Sequence, residues 1–98
     1  KIPRPSGYEH LVSEYILNFA KKLNLKTFTD KAKNILIKIP SRRSKKDNIK
    51  IALQAHMDMV CEKEKNIVHD FFKDPLKLEF LGNKIKAKNT TLGADNGI

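Results

Sequence analysis

Between Lys50 and Ala55 the chain reads Lys-Ile-Ala-Leu-Gln-Ala, with Ile51, Ala52 and Leu53 apolar at consecutive positions. Successive side chains of a strand point to opposite faces, so a run of this kind asks for cover on both. The pattern predicts a strand over residues 48–55 in the middle of a sheet. His56, Met57 and Asp58 follow at once. Open α/β sheets tend to build their sites at the carboxyl ends of strands, and residues two apart in an extended segment share a side. An aspartate so placed can accept one ring N–H of the histidine, fix its tautomer and leave the other nitrogen for a metal. Asp95 lies in Gly93-Ala94-Asp95-Asn96-Gly97, where the glycines let the backbone turn sharply. His56 and Asp95 are thus candidate metal ligands, and Asp58 is the candidate catalytic residue that orients His56. Singly, these signals are unspecific, because His-x-Asp recurs by chance and Asp-Asn-Gly is ordinary turn chemistry. No Lys-Ser/Thr follows the glycines, which excludes a phosphate-binding loop.

The rest of the chain supplies the elements that such a strand needs. Ser6-Gly7-Tyr8-Glu9 fits a capping box. Leu11, Val12, Tyr15, Ile16, Phe19, Ala20 and Leu23 recur at helical spacing. A helix is expected from Gly7 to Leu23, ending near Asn24, with an apolar stripe wide enough to pack on a sheet. Residues 25–29 alternate as a strand, residues 30–33 turn, and residues 34–39 form a second strand that stops at Pro40. Residues 76–81 and 84–88 flank Gly82-Asn83 as a β-hairpin. The expected architecture is α/β: the helix packed on a mixed sheet, with an added β-hairpin.

Composition narrows the function classes. The net charge is +9, with 13 Lys/Arg against 4 Asp/Glu in residues 1–50 and seven of each afterwards. The basic excess therefore sits away from the His-Asp segment. Its densest cluster, residues 41–48, has no aromatic residue on which a base could stack and reads as a solvated hairpin loop. A nucleic-acid partner rests on that charge alone and is not expected. The lone Cys61 cannot close an intrachain disulfide, which points to a reducing compartment, and no apolar run approaches the ~20 residues of a membrane span. Cys61, Met57 and Met59 are expected to be packing residues, and His10 to be solvated. A chain of 98 residues that opens on Lys1 and closes on Ile98 also reads as part of something longer.

Three blocks sharpen the reading: residues 54–63 around His56-Met57-Asp58, residues 69–75 (His-Asp-Phe-Phe-Lys-Asp-Pro) and residues 90–98 around Gly93-Ala94-Asp95-Asn96-Gly97. Together with the opening Ile2-Pro3-Arg4-Pro5-Ser6-Gly7, they resemble the aminoacyl-histidine (Xaa-His) dipeptidases of the M20 metallopeptidase family, across essentially the whole chain. The resemblance implies a partial zinc-exopeptidase-like fold. It makes His56 a ligand of one of two zinc ions, or of other divalent metals in their place. Asp95 becomes the carboxylate bridging both, and Asp58 the partner orienting His56. It implies hydrolysis of Xaa-His dipeptides by a metal-activated water. In that family the glutamate base and the remaining ligands come after the Asp95 block. Residues 1–98 are accordingly expected to be the N-terminal part of a catalytic domain, without the lid and dimerisation domain and inactive alone. The expected partner is a short peptide ending in histidine, in the cytoplasm, with no nucleic acid or membrane and with a homodimer open to the longer parent. A broader dipeptidase or a deacylase is the neighbouring alternative.

Overall fold

Local sequence rules account for most of the regular structure. The computed structural model describes residues 1–41 and 49–96. Its elements are α1 (His10–Lys22), β1 (Lys26–Thr29), β2 (Ile35–Lys38), β3 (Leu78–Leu81) and β4 (Lys84–Ala87). They fall into two compact units: Ser13–Gln54, and Lys1–Val12 with Ala55–Ile98.

Helix α1 ends as its sequence requires. Asn24 takes a left-handed φ of 54°, the Leu25 N–H donates to the Ala20 carbonyl at 3.0 Å, and the Asn24 N–H to that of Lys21 at 3.0 Å. This is a Schellman closure, with asparagine in the position usually held by glycine. Lys21 and Lys22 in the last turn complement the negative end of the helix dipole. In the same unit β1 and β2 form an antiparallel hairpin with Phe28 opposite Leu36. Its turn is closed by the Asp30 carboxylate, which accepts from the backbone and side-chain amides of Asn34, both at 2.8 Å.

The second unit holds the other hairpin, β3 against β4 with Phe80 opposite Ile85. Gly82 has φ 60° in the two-residue connection, the first-position glycine of a type II′ turn that matches strand twist. Among its described residues, the apolar Pro5, Val12, Met59, Leu76 and Ala87 are buried, together with Arg4.

Five expectations are corrected. The helix begins at His10, three residues later than expected. Glu9 does reach back, accepting from the Gly7 N–H at 2.7 Å, but with the helix starting at His10 the Ser6 hydroxyl caps nothing among the described residues, and no capping box forms. The central strand is absent: residues 49–58 carry no regular secondary structure, and Leu53 is 97% exposed. Apolarity favours burial, but a strand exists only where neighbours pair with its backbone, and among the described residues none does so here. Among the described residues, two separate antiparallel pairs stand in place of a mixed sheet. Finally, Val12 and Ala20 of α1 are buried, whereas Leu11, Tyr15, Phe19 and Leu23 remain about half exposed, so among the described residues no sheet covers the wide stripe. The basic cluster expected as a hairpin loop lies, but for Ser41, outside the described residues.

Candidate metal centre

The three residues singled out in the sequence meet in the second unit, although no strand carries them there. Two short backbone pairings do the work. Pro5 and Met59 form a parallel bridge and Lys63 and Thr90 an antiparallel one. Around the second, the Thr91 N–H donates to the Glu62 carbonyl at 2.9 Å and the Glu64 N–H to that of Asn89 at 3.0 Å. The Thr91 hydroxyl donates to the Val60 carbonyl at 2.5 Å. Residues 60–64 and 89–91 thus run side by side and deliver the Gly93–Asn96 loop to Asp58. The Asn96 side-chain amide completes the link, donating to the Asp58 carbonyl at 3.1 Å.

At the centre, the His56 ring donates through Nδ1 to Asp58 Oδ1 at 2.8 Å. Its other nitrogen, Nε2, lies 3.3 Å from Asp95 Oδ2. Asp58 therefore takes the side of the ring that the sequence reading gave it, and Asp95 takes the opposite side. The remaining Asp58 oxygen, Oδ2, accepts from the Ser6 hydroxyl at 2.5 Å. All three site side chains stay open to solvent, Asp95 most of all at 69%.

The electrostatics follow from these contacts. The hydrogen bond to Asp58 favours the charged imidazolium, as does the nearby Asp95 charge, so the His56 pKa is raised above its ordinary 6.5. Asp58 moves the other way: the Ser6 hydroxyl first, and His56 second, hold its carboxyl below the usual range. In metal-free solution, NMR titration of the His56 ring should give a midpoint above the ordinary histidine value, and Asp58→Asn should bring it down. An unmoved midpoint in that variant would contradict the contact. Because a metal needs the neutral ring, binding at Nε2 should weaken as pH falls through the raised midpoint.

The pair on the Nε2 side suits a metal ion in one respect. Two ligands of a tetrahedral zinc, each ~2.1 Å from the ion, stand about 3.4 Å apart, close to the 3.3 Å between His56 Nε2 and Asp95 Oδ2. The donor types, imidazole nitrogen and carboxylate oxygen, also suit zinc. The set is short, however: among the described residues no group of three or more His, Cys, Asp or Glu could hold an ion. Burial pushes the Cys61 thiol pKa up and its Sγ donates to the Met59 carbonyl at 3.6 Å, which favours the packing role expected of it. His69 packs edge-on against Phe71.

Sequence reasoning missed Ser6, Arg4, Thr91 and Asn96. Ser6 fits the local pattern of a helix cap, and the others carry no local pattern. The prolines flanking Arg4 were the available signal, because each fixes φ and stops the opening segment from joining the helix.

A histidine held between two carboxylates, one orienting it and one facing its free nitrogen, is an arrangement suited to a hydrolase metal site. In sequence and fold the chain is similar to dipeptidases. It is 44% identical over 97 residues, or 99% of its length, to the cytosol non-specific dipeptidase of Escherichia coli (strain K12), of which it spans 20%. Its fold matches the crystal structure of aminoacylhistidine dipeptidase from Vibrio alginolyticus with a TM-score of 0.88 at 38% identity, over 98% of this chain and 20% of that one. No protein-family model matches. The α/β class and the resemblance to aminoacyl-histidine dipeptidases are borne out, over about one fifth of the relatives' length.

Proposed function

We propose that residues 1–98 form the N-terminal part of the catalytic domain of a zinc-dependent M20 dipeptidase, in which His56 and Asp95 are metal ligands and Asp58 orients His56. The observation that carries this is the line Asp58–His56–Asp95, with contacts of 2.8 and 3.3 Å on the two ring nitrogens. A bound zinc would lower the pKa of a water and polarise a peptide carbonyl. Asp58 holds the Nδ1 proton and so presents the Nε2 lone pair. Asp95, exposed and facing Nε2 through Oδ2, would share its carboxylate between two ions.

The substrate is a dipeptide, and the Xaa-His preference is the narrower part of the proposal. One relative is named for aminoacylhistidine and the other as non-specific, so a panel of dipeptides with and without C-terminal histidine separates the two. A cytoplasmic setting accords with the name of the Escherichia coli relative. No helix among the described residues is long and apolar enough to cross a membrane.

The test uses two proteins. The 98-residue chain, with two ligands for two ions, should bind zinc weakly and hydrolyse no dipeptide. A chimera in which these residues replace the corresponding fifth of the Escherichia coli dipeptidase should hydrolyse dipeptides, lose activity to a chelator and regain it with zinc. In the chimera, Asp58→Asn should retain most of the metal but lose roughly 10–100-fold in activity, as for other lost partners of a ligating histidine. A fully active Asp58→Asn chimera would remove the role assigned to that residue.

A further inference from the structure

The opening segment, residues 2–6, touches both halves of the site. Its course is set by Pro3 and Pro5, by the Pro5–Met59 bridge and by the Met59 N–H, which donates to the Arg4 carbonyl at 3.0 Å. In that register the Ser6 hydroxyl meets Asp58 Oδ2 at 2.5 Å. On the same segment Arg4 is buried, at 5% exposure, and its guanidinium donates to the carbonyl of Gly93, two residues before Asp95.

We propose that Ser6 and Arg4 are positioning residues of this site: Ser6 fixes the Asp58 carboxylate that sets the His56 tautomer, and Arg4 fixes the loop that presents Asp95. The role in metal binding rests on the function proposed above, whereas the positioning itself does not. The physical need is specific. Rotation of an aspartate carboxylate about its last torsion is soft, so a single hydrogen bond from His56 leaves its plane free to pivot. A second bond to the carboxylate, from the Ser6 hydroxyl to the other oxygen, pins the plane. The hydroxyl has no competing duty, because α1 starts at His10 and Ser6 does not cap it. Arg4 serves the second half in the same manner. Burial of a guanidinium favours acceptors for its donors; among the described residues Arg4 reaches the Gly93 carbonyl and that of Ile2, at 3.4 Å, while its buried Nε has no partner.

The experiment reads the His56 tautomer in the metal-free 98-residue chain by long-range proton–nitrogen NMR, at a pH above the ring's midpoint. The parent chain should show mainly the Nδ1–H form. Ser6→Ala should give comparable populations of both forms, with hairpin resonances from residues 78–87 unchanged, and Ser6→Thr, which keeps the hydroxyl, should restore the parent ratio. Arg4→Lys keeps the charge but lacks the planar fork. It should leave the tautomer in place and broaden or shift the Gly93–Asp95 amides. If Ser6→Ala does not fold, Ser6→Cys, with a much weaker donor, carries the same comparison. An unchanged tautomer ratio without the hydroxyl overturns the proposal. Zinc titration of the same samples separates the two readings. A tautomer that moves in a chain with no zinc affinity upholds the positioning role and removes the metal site. In a chain that does bind zinc, Ser6→Ala should cost about 10-fold in affinity, the lower end for a lost outer partner.

Discussion

Gly93→Ala should be the most damaging small substitution in the second unit, lowering its thermal midpoint by roughly 10–40 °C and separating Asp95 from His56. Two effects add. Gly93 has φ 63°, and the left-handed region costs a residue with a Cβ roughly 1–2 kcal/mol. The new Cβ would also stand 2.5 Å from Met59 Cβ, with the Met59 Cε at 3.0 Å and Sδ at 3.2 Å. The thioether could swing away, but Met59 Cβ cannot. Its backbone is held by the Arg4 carbonyl and the Pro5 bridge, and the side chain is 2% exposed. Relief must come from the loop, which would draw the Gly93 carbonyl away from Arg4. Overpacking of this kind costs about 1–3 kcal/mol, so the total is about 2–5 kcal/mol, a large part of the ~5–15 kcal/mol typical of a domain. At ~4–8 °C per kcal/mol for a chain of this size, a melt followed by circular dichroism will resolve it. Because the collision is with Cβ, Met59→Ala should not rescue Gly93→Ala. A variant that melts with the parent would show that the loop has room it is not seen to have.

His56→Ala should have the largest effect on function. In the chimera it removes a ligand rather than an orienting partner, so both metal content and turnover should fall, and turnover by more than the roughly 10–100-fold expected for Asp58→Asn. In the 98-residue chain it should abolish the weak zinc binding measurable by calorimetry, since Asp95 alone cannot hold the ion. The contrast between the variants is the informative result. Metal lost with His56→Ala and retained with Asp58→Asn matches one ligand and one orienting partner. Metal retained in both would mean that His56 does not ligate, and the assignment of the centre would fail.

What could be read from the sequence follows the range of the interactions involved. Helix α1, its closure at Asn24, the Asp30–Asn34 turn and the Gly82 hairpin all depend on residues within a few positions of one another, and spacing or a single special residue exposes them. The pairing of His56 with Asp58 is legible for the same reason, the two being two positions apart. Residues 49–58 mark the limit: apolarity showed a segment that favours burial, but a strand also needs partners for its backbone, and those lie elsewhere in the chain or nowhere among the described residues. The approach of Asp95 to His56 was legible only through the resemblance of whole blocks to a known family, because no periodicity links positions 39 apart. Ser6 was misread for a related reason. Its local pattern offered a helix cap worth about 1 kcal/mol, and the tertiary structure offered a carboxylate 52 positions away. The two roles do not compete, because the hydroxyl donates to the carboxylate and would accept from a helix N–H; the cap fails because α1 starts only at His10. The sequence by itself determined the local elements and the chemical identity of the site residues. Only the tertiary structure decided which of them meet and which residues hold them there, because those contacts depend on how separate segments pair.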